Sequence, residues 1–134
     1  MPIEYTVNED GTFVHATATG SPTDEDLAAY LESLTNDSRI KKPGYRELFD
    51  AGGISGNSVT MQALEKFAEF VRAHPERIAA SKMAIVVGSH ESFKQARFYE
   101  KLLKSVENII VFNDAAVARI WLNEHESAVE TKLK

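Results

Sequence analysis

Met83-Ala84-Ile85-Val86-Val87 is an unbroken apolar run, and Ile109-Ile110-Val111-Phe112 repeats the pattern further along the chain. A strand with one wet face alternates apolar and polar residues; a strand without alternation is covered on both faces, as in the parallel sheets of α/β domains. Parallel strands need crossover connections, so helices are expected between and around these runs.

The rest of the chain supplies them. Ile3, Tyr5 and Val7 alternate with Glu4 and Thr6, Asn8-Glu9-Asp10-Gly11 offers a tight turn, and Thr12 to Thr19 alternates again. Val14, Ala16 and Ala18 fall on one side of that second run, Phe13, His15, Thr17 and Thr19 on the other, which predicts a hairpin whose first strand is an edge. Gly20-Ser21-Pro22 breaks the strand, Thr23 caps a helix, and Asp24, Glu25 and Asp26 sit against the positive end of its dipole. Leu27, Leu31 and Leu34 form its apolar stripe and Asn36-Asp37-Ser38 ends it. After a basic connector, Arg39 to Gly44, comes a short buried strand from Tyr45 ending at Asp50, a glycine-rich loop, and an amphipathic helix starting near Ser58. Its main face carries Met61, Leu64, Phe67, Ala68 and Val71, with Val59, Ala63 and Phe70 as a second apolar strip; His74-Pro75 stops it.

Gly88-Ser89 turns the chain into a helix with Phe93, Ala96, Leu103 and Val106 as its buried stripe. Asn113-Asp114 caps a last helix carrying Val117, Ile120 and Trp121. The predicted order is β-β-α-β-α-β-α-β-α: one α/β domain over 1–123, a mostly parallel sheet of about five strands with an antiparallel edge strand. Residues 124–134 are expected to be a solvated helix extension or tail.

Composition narrows the function classes. At 134 residues, 43% hydrophobic and 26% charged, the chain is large enough for one core that needs neither disulfide nor metal. It has no cysteine, hence no thiolate site and no cysteine nucleophile. A formal net charge of −5 provides no basic field for nucleic acid. No apolar run is long enough for membrane insertion and Met-Pro-Ile-Glu-Tyr is unlike a signal peptide, so a cytoplasmic protein is expected.

In open α/β sheets, ligands and partners meet the loops at the carboxyl ends of the strands, beside the point where strand order reverses. That directs attention to Asp50, Gly53, Asn57, Ser58 and Thr60. Ser58 is a candidate phosphoacceptor at a helix start, its plainer role being an N-cap; Thr60 is the second hydroxyl there. Gly52-Gly53-Ile54-Ser55-Gly56 can be read as a phosphate cradle, yet it lacks the Gly-Lys-Ser/Thr and Gly-x-Gly-x-x-Gly signatures, which leaves a flexible connection. Asp50, Ser89, His90 and Asp114 allow a Ser-His-Asp relay to be drawn, but Gly88-Ser89-His90-Glu91 is not a nucleophile elbow; Ser89 and Asp114 read as caps and His90 as a surface residue. His15, His74, His90 and His125 are scattered and predict no metal site, and no cofactor is expected. Arg97 can clamp an anion or a partner carboxylate, or lie along apolar surface with its charge in water.

Glu47-Leu48-Phe49-Asp50, Asn57-Ser58, Lys82-Met83-Ala84-Ile85-Val86, Ala96-Arg97-Phe98-Tyr99 and Val111-Phe112-Asn113-Asp114 with Ala118 and Trp121-Leu122, set in this element order, resemble the STAS domain. The likeness is to its SpoIIAA-like branch, named for the sporulation anti-sigma-factor antagonist. It implies a non-enzymatic bacterial module, able to form a homodimer, that docks a regulatory protein or kinase through Asp50 to Thr60 and the neighbouring helix starts. The family's helix begins with an Asp-Ser-Ser-Gly-type phosphorylation motif; here Gly56-Asn57-Ser58-Val59-Thr60 lacks its acid and glycine. Likeness to the lipid-binding lobe of SEC14-like proteins implies the alternative, a carrier or sensor of a lipid or other small apolar ligand between sheet and helix.

Overall fold

The computed structural model describes residues 2–56 and 58–123. Asn57, His125 and the expected tail at 124–134 lie outside them. The elements are β1 (Ile3–Val7), β2 (Phe13–Gly20), α1 (Asp24–Asn36), β3 (Arg46–Ile54), α2 (Met61–Ala73), α3 (Pro75–Ile78), β4 (Lys82–Val87), α4 (His90–Leu102) and β5 (Asn108–Phe112). A further helix, α5, covers 115–123.

The five strands lie side by side in chain order. β1 is antiparallel to β2 and the other neighbours are parallel, as expected. Strand order never reverses, which corrects the expectation of a reversal point beside β3. Each right-handed crossover carries the chain over the same face. Tyr30 and Leu34 of α1, Ala68 and Val71 of α2 and Ala96 of α4 therefore share one large core with Val14, Ala16, Met83 and Ile85. The opposite face carries a smaller cluster, Leu48, Ala84 and Val86 under Ala118 and Leu122 of α5. Lys82 over the Trp121 ring at 5.0 Å and Arg46 Nη1 donating to Leu122 O at 3.2 Å hold α5 there.

Several boundaries differ from the sequence reading. β3 does not end at Asp50: after a bulge between Thr17 and Thr19, β2 pairs Thr19 with Gly53 and Gly20 with Ile54, so Gly52 and Gly53 belong to the strand. Helix α2 starts at Met61, because Thr60, rather than Ser58, accepts the first-turn amide of Ala63 at 3.1 Å. Pro75 ends α2 and also opens α3, since proline suits a first helical position. Met61 and Phe93, expected in buried stripes, are each 40% exposed, the cores beneath being filled by Leu64 and Ala96. Val117 and Ile120 also face outward, because among the described residues α5 alone covers its side of the sheet and Ala118 and Leu122 make that contact. Ile110 is part-exposed because β5 is an edge strand; among the two apolar runs only β4 is covered throughout.

Candidate functional site

From Tyr45 to Ala51, ahead of the bulge, strand β3 and the residue before it alternate. Leu48 faces α5, while Tyr45, Glu47, Phe49 and Ala51 face the helices on the other side. Small side chains at Ala18, Ala51 and Ala96 leave space where α1, α2 and α4 cross that face, and the space is a half-enclosed cavity of about 120 Å³. Its walls are chiefly aliphatic and aromatic, with Leu27 and Leu31 from α1, Phe67 and Val71 from α2, and Ile85 and Val87 from β4.

Two carboxyls interrupt this lining, together with the uncharged polar side chains of Ser92, Gln95 and the tyrosines. Glu47 is 5% and Glu107 9% exposed, and both face the cavity. Glu47 Oε2 accepts the Tyr30 hydroxyl at 2.7 Å. Glu107 Oε2 accepts the Ala80 amide at 3.2 Å, while its Oε1 has no partner. Burial pushes Glu47 up to about 7, only partly offset by the Tyr30 hydroxyl, and burial together with the Glu47 charge pushes Glu107 up to about 8. The phenols of Tyr30 and Tyr45 are raised by burial and then by Glu47. Tyr45 donates to Ile78 O at 2.7 Å. Among the described residues no lysine, arginine or histidine lines the cavity. The site can therefore exchange protons and accept hydrogen bonds from a guest.

The residues singled out from sequence gather at the other end of the sheet. Asp50 Oδ1 accepts the Gly52 amide at 2.9 Å. Gly53 is exposed beside Thr19, and a Cβ there would lie 3.1 Å from Thr19 Cγ2. Ser58 is exposed, bridges to Thr23, and has its hydroxyl 3.4 Å from that of Ser21. The Thr60 hydroxyl donates to Asp24 Oδ2 at 2.9 Å while its amide donates to Asp24 Oδ1 at 2.8 Å, tying the starts of α1 and α2 together. Ser89 accepts the Ser92 amide as the cap of α4, and Asp114 accepts the amides of Ala116 and Val117 as the cap of α5. His90 is exposed in the first turn of α4. Among the described residues no relay joins these groups: Ser89, Asp50 and Asp114 are engaged with backbone amides. Arg97 stands apart on the exposed side of α4, 3.0 Å from Glu100 Oε1 and over the Phe93 ring.

The expected segment nevertheless reaches the cavity, since Ala51, Ile54 and Val59 line it. Val59 O accepts Gln95 Nε2 at 2.8 Å, which straps this segment to α4. Ala63 and Phe70, the rest of the second apolar strip, do not line it. Sequence reasoning missed Glu47, Glu107 and Tyr30. The signal for Glu47 was present, because an acid between Tyr45 and Phe49 sits in the buried phase of a strand. Glu107, just outside β5, had none.

No family model matches the sequence, and no curated protein matches it significantly. Among solved structures it is similar to an uncharacterized protein from the DUF3478 family with a SpoIIAA-like fold from Shewanella loihica PV-4, at 20% identity and a TM-score of 0.56, covering 90% of this chain and 91% of that one. The resemblance read from Glu47 to Leu122 and the five-strand architecture thus meet in one conclusion: this chain has a SpoIIAA-like fold.

Proposed function

We propose that this domain is a non-enzymatic binding module, a carrier or sensor for a small, mainly apolar ligand held between the sheet and helices α1, α2 and α4. The cavity carries the reading. Interiors are close-packed, and voids larger than a water molecule are few; a space of about 120 Å³ with aliphatic and aromatic walls is close to one that takes up benzene. It is smaller than the roughly 300–1,000 Å³ of pockets for drug-sized ligands. The occupant is therefore about the size of a single ring or a short branched chain, and a whole lipid would need the helices to part. The segment from Asp50 to Thr60 forms part of the wall through Ala51, Ile54 and Val59 and faces solvent through Gly53, Ser58 and Thr60. Its backbone offers a route by which occupancy alters the surface a protein partner meets.

The test is an NMR titration of the 134-residue chain with toluene. Saturable shifts are expected at the methyls of Ala51, Val59, Val87 and Ala96, and a folded Ala96→Leu variant, with the space filled, should show none. Toluene that leaves those methyls unmoved in the wild type would sink this reading.

A further inference from the structure

We infer that the cavity selects a small apolar amine, its ammonium group seated against Glu107 Oε1 with Glu47 as the second carboxylate. This deepens the reading above and rests on it. Glu107 is nine-tenths buried, yet one of its carboxyl oxygens has no partner within the protein. Buried polar atoms are nearly always paired, and the exceptions call for a missing partner. Glu107 lines a cavity that can hold one.

The chemistry of that partner follows from the charges nearby. Two acids face the cavity with no cationic side chain among the described lining residues. Four cations on the surrounding elements are engaged elsewhere: Lys42 donates to the carbonyls of Leu34 and Thr35, Arg72 to Leu102 O, and Arg46 and Lys82 lie over Phe13 and Trp121 on the opposite face. An anionic guest would meet two carboxyls. A neutral hydroxyl can bond Oε1 but brings no charge to compensate the acids once they ionise. An ammonium has three donors and the complementary charge.

The placement of polarity fits a one-ended guest. Glu47 is the second residue of β3 and Glu107 directly precedes β5, so both lie towards the amino ends of these parallel strands. Ile54, Val59 and Val87 line the carboxyl end, where the polar side chains are the uncharged Ser92 and Gln95, the latter donating to Val59 O. Tyr30 and Phe49, edge to face at 5.4 Å, both line the space and add ring faces that attract cations.

Binding should be linked to protons. The titratable groups facing the acids are Tyr30 from α1, Tyr45 before β3, Tyr99 from α4 and the two acids themselves; the lining residues of α2 carry no charge. Since Glu47 and Glu107 hold protons up to about 7 and about 8, a cation that needs them ionised binds more tightly as pH rises through that range.

The experiment compares benzylamine, benzyl alcohol and toluene by calorimetry and NMR on the full chain, from about pH 6 to about pH 8. Benzylamine is expected to bind at least about tenfold more tightly than toluene at the upper pH, as one charge-assisted hydrogen bond implies. That advantage should shrink towards the lower pH, while toluene affinity stays flat. Glu107→Gln should lose the advantage and keep toluene binding, which also reports that the variant is folded; Glu47→Gln should reduce it. Equal affinities, or a preference for the alcohol, would overturn the amine inference and leave the cavity reading standing. An advantage that survives both substitutions would overturn the assignment to these acids. If none of the three binds, the cavity reading falls too.

Discussion

Glu47 and Glu107 occupy positions where a core ordinarily carries an aliphatic side chain, and what keeps them there is local. Glu47 has the Tyr30 hydroxyl at 2.7 Å; Glu107 has one backbone amide and one bare oxygen. Tyr30→Phe removes the donor and leaves a buried acceptor unpaired, which should cost about 1–3 kcal/mol, measured by urea unfolding. The same change should raise the titration midpoint of Glu47, followed by carboxyl NMR, because the bond favours the ionised form. A variant as stable as the wild type would mean that water replaces the phenol there. Glu107→Gln should raise stability by an amount that grows from about pH 4.3 to about pH 8, because over that range the unfolded glutamate releases a proton that the buried one keeps.

Helix starts and turns divide into those that bear on stability and those that do not. Thr60 caps α2 and makes two bonds to Asp24 at the start of α1, so Thr60→Val should cost about 1–2 kcal/mol. Ser58→Ala should change stability by less than about 0.5 kcal/mol, since among the described residues its exposed hydroxyl has only the distant Ser21 contact. Thermal unfolding of both variants separates the two residues; equal losses would restore Ser58 as the cap. The hairpin between β1 and β2 depends on Gly11, whose φ is 73° and where a Cβ would lie 2.1 Å from Arg39 O. Gly11→Ala should cost about 2–4 kcal/mol by the same measurement, from the backbone conformation together with the clash.

At the scale of the molecule, the buried acids set how stability depends on pH. Unfolded glutamates titrate at about 4.3. Because the folded-state values of Glu47 and Glu107 are raised to about 7 and about 8, the native protein holds protons that the unfolded chain has released. Stability from these groups is therefore full below about pH 4.3 and is lost as pH rises through about 7 and about 8. Asp37, held low by Arg39 and then by the Tyr5 hydroxyl against the opposing effect of burial, acts in the opposite direction only under strongly acidic conditions. The urea midpoint should fall by an amount worth a few kcal/mol between about pH 5 and about pH 8.5. A midpoint that rises or stays level over that range would mean both acids are ionised in the folded protein.

By itself the sequence determined the periodic and local features: the alternation of Ile3 to Val7 and Val14 to Ala18, the β4 run, and the caps at Thr23, Ser89 and Asp114. Each depends on neighbours a few residues away, so the order of strands and the SpoIIAA-like architecture were legible. Tertiary structure alone decided what is made by distant segments meeting. The bulge that extends β3 to Ile54 is imposed by pairing with β2, and the choice of Thr60 over Ser58 is reinforced by Asp24 on another helix. The candidate site is the extreme case. Its cavity exists because Ala18, Ala51 and Ala96, from three different elements, come together under α1, α2 and α4. Its two acids become chemically unusual only when the folded chain strips them of water, and no spacing along the sequence records that loss.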